Sequence, residues 1–68
     1  MSVTKVIEVI GSSEQSSDDA VHQALMAASR SIRGIRRIEV VSTTCDVVDG
    51  QIARWDVLVK IHFPVEPR

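Results

Sequence analysis

Residues 54 to 63, RWDVLVKIHF, carry the cleanest alternation in the chain and constrain the rest of it more than any other stretch. Trp55, Val57, Val59, Ile61 and Phe63 fall on one side of a strand, and Arg54, Asp56, Leu58, Lys60 and His62 on the other. A strand with one wholly apolar side needs a layer to cover it and neighbours to take its backbone hydrogen bonds. The odd side is therefore the core face, with Trp55 as a core tryptophan beneath the cover. The even side, titratable apart from Leu58, meets water or another subunit.

The cover is a helix. Ser16, or alternatively Ser13, caps it, Ser16 with Asp19 matches a capping box, and Asp18 and Asp19 complement the positive end of its dipole. Val21, Ala24, Leu25, Ala28 and Ile32 form one apolar stripe at three- and four-residue spacing. The helix is expected to run to about Arg33, with Arg30 and Arg33 in its last turn and Gly34 ending it. Before it, VTKVIEVI at 3 to 10 reads as a strand stopped by Gly11 and SSEQSS. After it, residues 38 to 47 form a strand joined to the alternating one by Asp49-Gly50, a type I′ hairpin signal. Pro64 is expected to end the third strand, leaving VEPR as an extended tail. The expected fold is α+β with order β-α-β-β: a three-stranded antiparallel sheet curled around one helix, the first strand beside the third.

At 68 residues the chain is read as one domain, residues 1 to 68. A domain of this size buries only about 60% of its unfolded surface, so oligomerisation is the expected supplement. A single cysteine, Cys45, excludes an intramolecular disulfide and fits a strand residue better than a nucleophile. A net charge of −1 with both signs scattered favours neither nucleic acid nor a membrane surface. No stretch has a secretory-signal pattern or the roughly 20 apolar residues of a membrane span, so a cytoplasmic location is expected.

KVIEVIGSS, the capped helix, the IEV opening of strand two, the VDG hairpin and WDVLVKIHF together resemble the dodecins along nearly the whole chain. The resemblance implies a homododecameric shell with sheets facing inward, binding flavins (FMN or riboflavin) without transforming them. Some members also bind coenzyme A. The typical flavin pocket stacks a tryptophan of strand two on the ring and hydrogen-bonds a glutamine of strand three to its edge. Here Arg37 stands at the tryptophan position and Asp56 at the glutamine position, while two arginines frequent in flavin binders correspond to Thr44 and Pro64.

Stacking contributes roughly 1 to 3 kcal/mol per ring in comparable cases, so the exchange of tryptophan for Arg37 weakens flavin binding. A guanidinium can stack, with less contact area than indole. Three roles are open to Arg37: an ion pair with Asp56 if the two are neighbours, an anion site shared with Arg36, or solvated charge. Calcium is the alternative cofactor. It prefers roughly six to eight oxygens, which Asp46, Asp49, Asp56 and Glu66 could supply only by converging across symmetry axes. His22 and His62 read as surface or interface residues, His62 with the further prospect of pH-sensitive assembly. No nucleophile-base, paired-carboxylate or phosphate-loop pattern is present, so a noncatalytic protein is expected. The alternative to ligand storage is a flavin-independent structural shell.

Overall fold

The computed structural model describes residues 2–65. The chain forms β1 (Val3–Ser13), α1 (Ser17–Ser29), β2 (Arg37–Val48) and β3 (Gln51–Val65), and the sheet order is β1-β3-β2 with both pairings antiparallel. The expected β-α-β-β architecture is therefore the observed one. The long axis of the molecule, 53 Å, matches the roughly 50 Å that fifteen residues of β3 span at strand rise.

The core lies between α1 and the odd face of β3. Val57, Val59 and Ile61 are fully buried, and they meet Ala20, Ala24 and Ala28, one residue per helical turn. Ile7 and Val9 of β1, Ile38 of β2, and Ile32, Ile35 and Phe63 pack around this centre. Alanine makes the seam because it lets the helix axis approach the strands. The larger Val21 and Leu25 are half-buried on its flanks. Trp55 departs from expectation: it is half-buried and outside the core cluster. Its neighbours are Ser13, the last residue of β1, and Cys45, so it stands at the margin of the area the helix covers.

β1 does not stop at Gly11 but continues to Ser13. Gly11 is buried opposite Val57, and a side chain there would run into the carbonyl oxygen of Ala20. The glycine is a point of close helix approach rather than a strand end. The N-terminus of α1 is then secured by local hydrogen bonds. The Asp19 backbone N–H donates to Ser16 Oγ at 2.9 Å. Asp19 does not return a bond to Ser16; its Oδ2 accepts from Ser13 Oγ at 2.6 Å, while Ser13 Oγ accepts from the N–H groups of Gln15 and Ser16.

The helix ends at Ser29, about one turn before the expected Arg33. Arg30 is the C-cap, and no basic residue lies in the last turn. Ser31 and Ile32 both donate to the Ala28 carbonyl, closing the helix as a turn that tucks Ile32 against the core. Gly34, with φ of 73°, acts later, in the link to β2. At the hairpin both Asp49 (φ 53°) and Gly50 (φ 75°) are left-handed, as the type I′ signal requires.

Two register shifts interrupt the β2–β3 pairing, one at Val41 and one at Ala53, each leaving a residue without an opposite number. Pro64 does not end β3, for it pairs with Thr4 of β1. β2 pairing begins only at Arg37 and His62, so at Pro64 the strand has a neighbour on one side and a missing N–H is tolerated. Of the VEPR tail, residues 66–68 lie outside the described residues.

Gly11→Ala tests the close approach. It is expected to destabilise the protein by about 2 to 3 kcal/mol, a fall in melting temperature of about 10 °C or more at fixed protein concentration. An unchanged melting curve would show that the helix can retreat without loss.

Candidate functional site

One helix covers one face of the sheet, and the even face of β3 remains open. The register arranges that face in transverse rows. Near one end Val6, His62 and Arg37 lie side by side on β1, β3 and β2. Next come Glu8, Lys60 and Glu39, a cation flanked by two carboxylates, and then Ile10, Leu58 and Ser42. Ser12, Asp56 and Thr44 form the row nearest the hairpin that spans all three strands. Val6 and Ile10 leave apolar surface uncovered between the polar rows, Ile10 being 65% exposed.

In the distal row Asp56 is the hub. Ser12 Oγ donates to its Oδ1 at 2.6 Å, and Arg54 reaches both of its oxygens, Nε to Oδ1 at 3.2 Å and Nη2 to Oδ2 at 3.3 Å. The same Arg54 Nη2 lies 3.2 Å from Asp46 Oδ2. Thr44 Oγ1 donates to the Asp56 backbone carbonyl at 3.4 Å. The Ser12 hydrogen bond, aided by the charge and hydrogen bond of Arg54, holds the Asp56 carboxyl below the usual carboxylate range against a smaller opposing effect of desolvation.

In the proximal row Thr4, Arg36, Arg37 and His62 line a cleft of about 190 Å³, one contribution from each strand and one from the link before β2. The Arg36 backbone N–H donates to the His62 carbonyl at 2.9 Å, which docks the link onto β3. His62 Nε2 is buried and makes no hydrogen bond among the described residues. Glu39 Oε1 lies 3.5 Å away, near enough for Coulombic attraction but too far for a good hydrogen bond. On the helix side the same two arginines border an apolar notch with Leu25, Ile35 and Ile38.

Of the residues singled out in the sequence, Asp56 and Thr44 come together and Arg37 does not join them. Arg37 sits beside His62 and Asp56 beside Thr44, six residues along β3, or roughly 20 Å. Within one protomer Arg37 and Asp56 therefore form no pair; the partner of Asp56 is Arg54. The fold adds Thr4, Ser12, Glu39 and Arg54 to the candidate site, none of which the sequence alone singles out. Ser12 required β1 to run past Gly11, and Arg54 required the β2–β3 register. Among the described residues no three His, Cys, Asp or Glu side chains cluster to hold a metal ion, and no helix is long and apolar enough to cross a membrane.

The family model described as Dodecin matches residues 3–66. Among curated proteins compared with the chain, none matches. The solved structure of dodecin from Streptomyces coelicolor is 34% identical with a TM-score of 0.93, covering 98% of this chain and 96% of that one. Dodecin from Streptomyces davaonensis is 29% identical with a TM-score of 0.90, covering 97% of each. A calcium-chelating antigen of Mycobacterium tuberculosis, described as a calcium dodecin with a novel calcium-binding site, is 30% identical with a TM-score of 0.82, covering 96% and 93%.

The heightened acidity of Asp56 makes stability depend on pH in a definite direction. A carboxyl more acidic in the folded than in the unfolded chain stabilises above its ordinary value, and that contribution is lost as pH falls through the folded value. Asp56→Asn is expected to be less stable than the natural chain at neutral pH, with the gap closing below about pH 4. Denaturant midpoints measured across that range would refute this if the gap stayed constant.

Proposed function

We propose that the protein holds a small ligand without transforming it, and the premise is that the chain belongs to the dodecin family. Homo-oligomeric assembly is a property of that family, and we propose it for this chain as a dodecamer of one-domain subunits in the cytoplasm. The observation that carries the ligand reading is the proximal cleft: Arg37 lies at the position where the resemblance places ligand, on the face the helix leaves open, beside Arg36, Thr4 and His62. The noncatalytic character rests on family membership.

For flavin the cleft offers two guanidinium planes and no indole, and the distal row offers a carboxylate already engaged by Ser12 and Arg54. An engaged, charged Asp56 is a poor substitute for an amide that both donates and accepts. Weak flavin binding follows, and the purified protein is expected to show little absorption in the visible blue. Arg37→Trp is expected to raise riboflavin affinity by about tenfold or more, read by fluorescence quenching. A strongly yellow natural protein would overturn the argument.

The calcium function of the Mycobacterium tuberculosis relative is the second reading, favoured by the convergence of Asp46 and Asp56. What converges between them is Arg54, a cation already filling the place between the carboxylates. Calorimetric titration with calcium is expected to give no saturable heat with the natural chain and weak binding with Arg54→Gln. Tight binding by the natural chain would establish the calcium reading instead.

A further inference from the structure

The proximal cleft gathers groups that ask for an anion. Arg36 and Arg37 bring two positive charges and Glu39 removes one, leaving +1 before the His62 imidazole is counted. Lys60, the next cation on this face, has Glu8 and Glu39 for cross-strand neighbours, so its charge is answered locally. Among the described residues neither Arg36 nor Arg37 has a carboxylate partner or a side-chain hydrogen bond; the ion pairs of this face go to Arg54, and Glu39 lies 3.5 Å from His62 Nε2. Two like charges lining one cleft repel each other, and a bound anion reverses that cost. His62 Nε2 points the same way, because a buried ring nitrogen without a hydrogen bond lacks the partner that such groups nearly always have.

We infer that the cleft of Thr4, Arg36, Arg37 and His62 binds the phosphate group of a small phosphorylated ligand. The donors come from three strands and a link and line one cleft together. A tetrahedral phosphate presents oxygens to all of them, whereas a carboxylate has two oxygens in one plane. Guanidinium forks match phosphate in pairs of parallel hydrogen bonds, the Thr4 hydroxyl adds a neutral donor, and an Nε2 carrying its proton gains the missing partner. The apolar notch of Leu25, Ile35 and Ile38 lies on the helix side of the same arginines, around the edge strand β2 from the cleft. The inference rests on the open face being a ligand-holding surface, and it adds the class of ligand.

The test compares pyrophosphate, flavin mononucleotide and riboflavin against the assembled protein by calorimetry, with the ring protons of the two histidines followed by NMR. His22 is exposed on the helix and serves as the internal reference. Saturable pyrophosphate binding that shifts His62 and spares His22 is expected. Flavin mononucleotide should bind at least about tenfold tighter than riboflavin, and Arg37→Gln or Arg36→Gln should each weaken pyrophosphate by about tenfold or more. Equal binding of the two flavins with no response to pyrophosphate overturns the phosphate inference and leaves ligand holding intact. Equal shifts at both histidines, or unchanged binding by the arginine variants, also overturns it. If none of the three ligands binds, both the inference and the ligand-holding reading fall.

Discussion

The contact on which the structure depends is the seam between three alanines and three branched residues. Ala20, Ala24 and Ala28 bring α1 down onto Val57, Val59 and Ile61, and Gly11 removes the last atoms that would keep them apart. Neither side could enlarge without lifting the helix. Because so short a chain has one helix to spend, the seam also decides what stays uncovered. β2 is exposed along almost its whole length, and among the described residues no element is layered over the even face of β3. The open face is thus a consequence of how the core is built.

That face divides its labour by charge. At the distal row Arg54 pairs with both Asp46 and Asp56 within the protomer and Ser12 bonds Asp56, a cluster that is internally paired but keeps one negative charge in excess. At the proximal row the positive groups outnumber the negative. Between them lie a cation flanked by carboxylates and an apolar strip. A surface with one end internally paired and slightly negative and the other positive directs a ligand, or a neighbouring subunit, to a definite place.

How much of this was legible follows from the kind of signal each part carries. The alternation of residues 54 to 63, the Asp49-Gly50 turn and the Ser16 cap are local, and each specified its element. The end of the helix is not legible locally, because Gly34 resembles a C-cap whereas Ser31 and Ile32 both turn back to Ala28 before reaching it. Gly11 looks like a terminator in sequence because the close helix approach it serves depends on Ala20, nine residues away and on another element. The absence of an Arg37–Asp56 pair within the protomer has the same kind of cause. Family position made the two look adjacent, but adjacency within a protomer is set by register, which gave Arg37 to His62 and Asp56 to Arg54.

The two interruptions of the hairpin carry one last implication. Arg37 is odd-numbered and Thr44 even-numbered, yet both look out from the open face, because Val41 is skipped in the count. Ala53 restores the count on the opposite strand before the turn, so the hairpin closes in phase. Parity along β2 is therefore inverted between its two halves. A comparison of relatives that ignores this offset would assign Thr43 and Cys45 to the ligand face, and loss of Val41 alone would act as a wholesale exchange of inside for outside from Ser42 to Asp46.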